Sequence, residues 1–375
     1  MVQSRSHTLY AGMCEEPDGA AATCFVVALD ADGHELWRVT LPQAGAGLAG
    51  LVADGTGDVW AQGPSLTRID PSGAISWTGA PAALEWENTA VALAAGGTYF
   101  QYAKGPGPQL AVQAIGIQGT VRWSVPIGGH VRAGDNLSPT TLQAPSIDSA
   151  GYLEVPCQPC ADGRTGIAQV DVSAGTVRTV ASVPAGDARI TLPADLVTCD
   201  GQGNTYFAAG PFLASFGQGG AMRWTSPVAL APALVTLNRV VALSVTMASF
   251  TLVALSPVDG TVIGTTPAAD GEALVVLVAG GLRMTSAAFP VSGSSFVTTT
   301  GTAIFDGSSH LVWSDPGMDP STAIPDVGRV YGIERDDQGH GTLVAKQAAI
   351  SGLEQGPWPL LRHDPGRTGS AAGAW

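Results

Sequence analysis

Tryptophan recurring at a near-constant interval, a tight Asp-Gly turn ahead of almost every one, and the near-absence of helical periodicity predict an all-β chain. The architecture they imply is a β-propeller of four-stranded blades, eight in number with seven as the alternative. The tryptophans are Trp37, Trp77, Trp123, Trp224, Trp313 and Trp358, separated by 40, 46, 101, 89 and 45 residues. The two long gaps are close to twice the short ones, so two repeats have lost their tryptophan.

Each element follows from its turn. Val26-Val27-Ala28-Leu29-Asp30-Ala31-Asp32-Gly33 leads into Trp37, Leu66-Thr67-Arg68-Ile69-Asp70-Pro71-Ser72-Gly73 into Trp77, and Ala303-Ile304-Phe305-Asp306-Gly307 into Trp313. Asp caps such a turn through its side chain, and Gly takes the positive φ that a short hairpin needs. The two incomplete repeats are Val170-Asp171-Val172-Ser173-Ala174-Gly175 and Leu255-Ser256-Pro257-Val258-Asp259-Gly260, which put Arg178 and Ile263 where tryptophan would stand. A second strand-turn-strand unit precedes most hairpins, at Ala53 to Trp60, Asp148 to Leu153 and Cys199 to Phe207. Two hairpins per period of about 46 residues make four strands, the content of a propeller blade. Ala90 to Ala95 is apolar but too short for a helix, and Gly or Pro interrupts nearly every other stretch. The longest uncharged apolar run, Val240 to Val258, contains Ser244, Thr246, Ser249, Thr251 and Ser256. Their spacing fits two buried strands with a polar turn near Thr246 to Ser249, against a membrane helix.

The strand Ala28-Leu29-Asp30, followed by Gly33 and Trp37, resembles the "ALD…G…W" repeat of quinoprotein-like bacterial β-propellers. Asp200 to Tyr206 is similar to the "D-x-x-G-N-x-Y" repeat of related propellers, and Trp358 to Gly369 resembles a "W-P…D-P…T-G" flanking segment found beside propellers in bacterial envelope proteins. The resemblance covers essentially the whole chain. It implies one propeller domain over residues 1–356 and a C-terminal strap over 357–375 that packs at the ring closure. The first hairpin, Thr8 to Val39, lacks an obvious innermost strand, and a strand around Thr342 to Gln347 is expected to complete that blade. Enzymes of this group use pyrroloquinoline quinone and calcium, held by adjacent cysteines, a tryptophan and a Glu/Asn/Asp set. The sequence has no adjacent cysteines and no matching acidic constellation, so the blade motif is expected without the cofactor.

Composition narrows the partners. The formal charge is −14, and only Lys104 and Lys346 are lysines among 17 basic residues, which opposes binding to nucleic acid or anionic lipid. Met1 to Gly12 has no apolar run of signal-peptide length. Of the five cysteines, Cys14 and Cys24 flank a polar loop suited to a disulfide. Cys157 and Cys160 form a Cys-Gln-Pro-Cys pair, read as a loop staple, with a redox pair or half a zinc site (Cys199 and His130 the nearest further ligands) as alternatives. Oxidised pairs would place the protein outside the cytoplasm and leave Cys199 a buried free thiol.

Catalytic signatures are absent from the sequence: no Gly-x-Ser-x-Gly, no His-Glu-x-x-His and no phosphate loop. His34 and His310 belong to hairpin turns, and His363-Asp364 lies in the Pro-bounded tail. Asp30 with Asp32, and Asp336 with Asp337, lack the ligand spacing of a calcium loop. No catalytic, cofactor or metal residue is therefore assigned. The expected function is a monomeric, non-enzymatic scaffold binding protein or glycan at the bacterial envelope, in the periplasm, at the outer membrane or extracellularly, with no transmembrane segment. The alternative is an enzyme with its site in the central channel, for which Asp195, Asp326 and Glu334 are polar candidates without an assigned role.

Overall fold

The computed structural model describes residues 2–4, 8–15, 22–44, 48, 50–54, 56–63, 65–79, 92–94, 97–104, 109–130, 146–148, 150–157, 166–182, 198–200, 202–209, 212–227, 234–235, 239–245, 250–267, 273–278, 282–290, 298–306, 310–319, 322–336 and 340–351. Trp358 and the 357–375 strap, Cys160, Asp195, the expected turn at 246–249 and His363-Asp364 lie outside them.

Among the described residues all regular structure is β. The first sheet holds β1 (Val2–Gln3), β2 (Leu9–Glu15), β3 (Thr23–Leu29) and β4 (Glu35–Ala44). The second holds β5 (Gly50–Ala53), β6 (Val59–Gln62), β7 (Leu66–Ile69) and β8 (Ile75–Gly79), and the third β9 (Ala92–Ala94), β10 (Thr98–Lys104), β11 (Gln109–Ile115) and β12 (Val121–His130). The fourth contains β13 (Ser146–Ile147), β14 (Tyr152–Cys157), β15 (Gly166–Asp171) and β16 (Val177–Ser182). The fifth contains β17 (Thr198–Cys199), β18 (Thr205–Ala209), β19 (Phe212–Phe216) and β20 (Met222–Ser226). The sixth is β21 (Leu234–Val235), β22 (Val240–Val245), β23 (Phe250–Leu255) and β24 (Val262–Pro267), and the seventh β25 (Ala273–Val278), β26 (Leu282–Pro290), β27 (Thr298–Phe305) and β28 (Leu311–Asp315). A last, two-stranded sheet pairs β29 (Ile324–Arg335) with β30 (Gly341–Ser351). Every pairing is antiparallel between chain neighbours, as short hairpin connections dictate. The Val240 to Val258 run is the β22–β23 pair, with Val240 opposite Leu255 and Val245 opposite Phe250.

Short first strands lie beside one another, β1 by β5, β9 by β13, β13 by β17 and β17 by β21, so they form the inner wall and the fourth strands the outer rim. The core is the series of seams between adjacent sheets. Tyr10, Val26 and Ala28 pack with Leu51, Val59 and Ile69 across the first seam, Trp60 and Leu66 with Tyr99 and Ile115 across the second, and Phe100 and Val112 with Leu153 and Val170 across the third.

Two expectations are corrected. The first sheet has its own innermost strand, Val2 opposite Tyr10, while β30 pairs with β29, so Thr342 to Gln347 completes the last sheet and not the first. The link is local: a backbone bond from Asp336 N to His340 O closes β29 on β30, the next strand along the chain. The second correction concerns the sixth sheet. Its turn closes from Ser256 N to Thr261 O, one residue longer than the Asp30 N to His34 O turn of the first, and a bulge follows. The residue opposite Ala254, where the first, second, third, fifth and seventh sheets carry tryptophan, is therefore Gly264 and not Ile263. The count of repeats resolves into seven four-stranded sheets and one two-stranded sheet among the described residues.

Candidate functional site

Turn chemistry builds the face on which the outer hairpins end. In four Asp turns one carboxylate oxygen accepts backbone N–H groups two and four residues on: Asp30 from Asp32 and His34, Asp70 from Ser72 and Ala74, Asp148 from Ala150 and Tyr152, and Asp200 from Gln202 and Asn204. These bonds favour the ionised form, and backbone bonding from His34 holds the Asp30 carboxyl below its ordinary value. Three turns in the first, seventh and last sheets add a ring contact, with His34, His310 and His340 Nδ1 lying 3.1, 3.2 and 2.9 Å from Asp30, Asp306 and Asp336. Both oxygens of Asp30 are thus taken within its own turn. Among the described residues no group of three or more His, Cys, Asp or Glu is placed to hold a metal ion.

The tryptophans join one sheet to the next. Trp37, Trp77, Trp123, Trp224 and Trp313 all stand on fourth strands. Trp37, Trp123 and Trp224 each donate their indole N–H to a carbonyl in the following sheet's outer turn, Pro71, Val172 and Pro257, at 3.0, 3.2 and 3.2 Å. The glycine of that turn lies against the ring. A Cβ at Gly73 would come within 2.8 Å of Trp37, and one at Gly260 within 2.5 Å of Trp224; both glycines also have positive φ, so only Gly serves.

Trp37, Trp77, Trp123 and Trp224 each back onto an aromatic ring of their own second strand, two cross-strand steps inward. The centroid distances are 5.7 Å for Tyr10–Trp37, 6.3 Å for Trp60–Trp77, 5.7 Å for Phe100–Trp123 and 5.9 Å for Tyr206–Trp224. Such pairs contribute about 0.5–1.5 kcal/mol beyond their area burial.

The fourth sheet replaces this whole row with polar residues. Ser146, Glu154, Gln169 and Arg178 are successive cross-strand partners from the inner wall to the rim. Glu154 stands where the first, second, third and fifth sheets have an aromatic ring, and Arg178 where they have tryptophan. Gln169 Nε2 donates to Glu154 Oε1, Arg178 Nε donates to Gln169 Oε1 at 2.8 Å, and Arg178 Nη2 reaches the Gln218 carbonyl of the fifth sheet's turn at 3.4 Å. Gln169 Nε2, 3.3 Å from the same carbonyl, and Arg178 thereby share the bond that an indole N–H makes elsewhere. At the inner end, Ser146 Oγ lies 3.4 Å from the buried Cys199 thiol of the fifth sheet. Burial raises the Glu154 carboxyl well above its ordinary value and pushes up the Asp148 carboxyl and the Cys199 thiol. Glu154 Oε2 and Asp148 Oδ2 are buried without a hydrogen-bond partner.

The remaining predicted residues are placed as follows. Cys14 and Cys24 are opposite each other on β2 and β3 and form a disulfide. Cys157 ends β14 opposite Gly166, and its pairing with Cys160 lies outside the described residues. Asp326 accepts from Gln3 Nε2 at 3.3 Å, joining the last sheet to the first, and Glu334 pairs with Lys346 at 2.7 Å. Each is thus engaged by a residue of the first or last sheet. Sequence reading missed Glu154, although a signal existed: it follows the turn residue Asp148 by the same interval that separates Trp60 from Asp54 and Tyr206 from Asp200.

The outer strands are apolar at exposed positions. Val258, Val262 and Ile263 of the sixth sheet are 73%, 51% and 57% exposed, flanked by Met222 of the fifth and Leu311 of the seventh. No helix among the described residues is long and apolar enough to cross a membrane.

No protein-family model matches the chain, and no curated protein matches it in sequence. Solved structures do. BamB from Moraxella catarrhalis is similar at 13% identity over 90% of this chain and 98% of its own, with a TM-score of 0.51. Dihydro-heme d1 dehydrogenase NirN, solved in complex with DHE, is similar at 12% identity over 81% of this chain and 66% of its own, with a TM-score of 0.50. The Dos1 propeller aligns at 8% identity over 84% of this chain and 85% of its own, with a TM-score of 0.46. The chain is an all-β protein of the β-propeller fold. Identity this low speaks to the fold alone.

Proposed function

We propose that the chain is a non-enzymatic scaffold that docks another protein through the rim of its sixth sheet and works outside the cytoplasm, in the envelope or beyond it. The observation that carries this is the exposed trio Val258, Val262 and Ile263 on and beside β24, an outer strand with no paired neighbour on its rim side among the described residues. Exposed apolar groups on an open strand edge are a recognised liability unless a partner covers them. Here the tryptophan position is Gly264, so no ring stands at that point of the outer strand. Aliphatic side chains favour a protein partner over a glycan, which is held by exposed aromatic rings and planar polar groups. The Cys14–Cys24 disulfide fits an oxidising compartment. The ring is read as eight-bladed, with β29 and β30 as the outer half of the eighth blade, and as one domain followed by the strap at 357–375.

The test is site-specific photo-crosslinking in extracts of the source cell, with the reactive residue at position 263 or, as a control, at exposed Ser76 of the second sheet. One discrete adduct at 263, lost when Val262 is changed to Asp, is the expected result. Equal labelling from both positions, or none from 263, refutes the rim as a docking edge.

A further inference from the structure

Glu154 is wholly buried at the seam between the fourth and fifth sheets, in a position where the first, second, third and fifth sheets carry an aromatic ring. A carboxylate taken out of water must be neutralised by a cation, a metal or a proton. The one cation of the row, Arg178, gives its guanidinium to Gln169 Oε1 and the Gln218 carbonyl, and stacks over Tyr152 at 4.7 Å from the ring centroid. A metal has no donor set, because no three His, Cys, Asp or Glu among the described residues converge to hold one. The groups facing Glu154 do not offset its burial: the Gln169 Nε2–H on Oε1 and, more weakly, Arg178 from β16 favour the charge, Asp148 from the turn after β13 opposes it, and loss of water outweighs them all, while a charge on Glu154 in turn disfavours a thiolate at Cys199 of β17. Nor does Glu154 Oε2 have a hydrogen bond that would hold a charge there.

We propose that the seam between the fourth and fifth sheets is a proton-dependent latch, closed while Glu154 carries a proton and loosened when it ionises. Ionisation places a charge near Asp148 with one donor, Gln169 Nε2, on Oε1 and none on Oε2, and the seam relieves that by admitting water. The seam is suited to yield, since it lacks the stacked rings that close the neighbouring ones. Its inner end is reported by Cys199, a thiol on the innermost strand of the fifth sheet that no solvent reaches while the seam is shut. This inference does not depend on the docking proposal.

The sign follows from linkage. Burial raises the carboxyl of Glu154 in the folded state, so between its ordinary value and that raised value the folded chain binds a proton that the unfolded chain has released. Stability contributed by the protonated group is full below the ordinary carboxylate range and is lost as pH climbs toward the raised value, by up to about tenfold in the unfolding equilibrium per pH unit. Asp148, also raised by burial, adds to the slope at its acid end.

The experiment measures alkylation of Cys199 under native conditions, read by peptide mass, together with denaturant unfolding, from about pH 5 to about pH 8, in the wild-type chain and in Glu154→Gln. After correction for thiolate fraction, Cys199 labelling in the wild type is expected to accelerate with pH and in Glu154→Gln to stay flat. The two unfolding curves should converge at the acid end and separate toward neutral pH, with the glutamine variant the more stable. Identical pH slopes in both proteins overturn the proposal. Should Glu154→Gln not fold, hydrogen exchange on the wild type decides. Protection of β13 and β17 amides, corrected for intrinsic rate, falls between pH 6 and pH 8 relative to β5 and β6 if the latch exists, and falls uniformly or not at all if it does not.

Discussion

Tyr206 and Trp224 in the fifth sheet occupy the same cross-strand positions as Glu154 and Arg178 in the fourth, and the two rows solve one problem with opposite chemistry. Both must attach a sheet to the outer turn of the next. The fifth does so with two stacked rings and an indole N–H on the Pro257 carbonyl, burying apolar area whose benefit is nearly independent of pH and salt. The fourth does so with a relay of Glu154, Gln169 and Arg178 ending on the Gln218 carbonyl. The geometry of the final bond survives the exchange, while the energy behind it does not. A relay of polar groups returns only a net fraction of each hydrogen bond, because water competes for every partner in the unfolded chain. The comparison teaches that the conserved requirement at a seam is a donor aimed at the next turn's carbonyl, and that the aromatic pair is one way of holding it.

The comparison breaks first if the aromatic seams are not the stronger. Trp224→Ala removes a buried indole, its stacking on Tyr206 and its bond to Pro257, and is expected to cost about 3–5 kcal/mol. Arg178→Ala, at an exposed rim position, is expected to cost about 1 kcal/mol. Denaturant unfolding of the two variants measures both, and equal losses would mean that the polar relay is worth as much as the rings.

A pair of glycines sharpens the same point with backbone strain held constant. Gly33 and Gly73 close equivalent outer turns with the same φ of +87°. Nothing lies within 4 Å of a Cβ built at Gly33, whereas one at Gly73 would meet Trp37 at 2.8 Å. Gly33→Ala pays only for the left-handed conformation, about 1 kcal/mol. Gly73→Ala adds displacement of the indole, about 1–3 kcal/mol more. The difference between the two, read from their unfolding midpoints, isolates the contribution of the ring seated on the turn. Equal values would show that the indole moves aside freely.

How much of this was legible in the sequence depends on the range over which each signal acts. The hairpins were legible because Asp30 and Gly33 act within four residues of themselves, and turn chemistry needs no tertiary partner. Arg178 was visible as a departure because its distance from Asp171 matches that from Asp70 to Trp77. The same counting failed at Ile263, since the five-residue closure from Ser256 to Thr261 is followed by a bulge and the two together move the partner of Ala254 to Gly264, whereas the equally long Asp171 to Thr176 closure has no bulge beside it and keeps Arg178 in place. Glu154 was missed for a different reason. Its neighbours Leu153 and Val155 read as a buried strand, and the acid between them looks like the polar half of an alternating pattern until the fifth sheet is known to cover it. The innermost strand of the first sheet, two residues long, carries too little pattern to be recognised at all.

The smallest expected effect tests where the closing seam, from the last sheet back to the first, belongs between these two designs. There the carbonyl of Ala31 accepts from both Arg329 Nη1, at 2.6 Å, and Tyr331 Oη, at 3.0 Å. A tyrosine hydroxyl and a guanidinium thus share the task given to one indole at Trp37, Trp123 and Trp224 and to Gln169 with Arg178 at the fourth seam. Because two donors meet one acceptor, removing either leaves the carbonyl satisfied. Arg329→Ala and Tyr331→Phe are each expected to cost at most about 0.5 kcal/mol, and the double variant about 1–1.5 kcal/mol, more than the sum. A double-mutant cycle by denaturant unfolding reads the coupling directly. Coupling of that sign makes the closing seam a redundant polar joint, closer in kind to the fourth. Strict additivity would mean that the two donors hold the turn independently and that Tyr331 works chiefly through its buried ring, as the aromatic seams do.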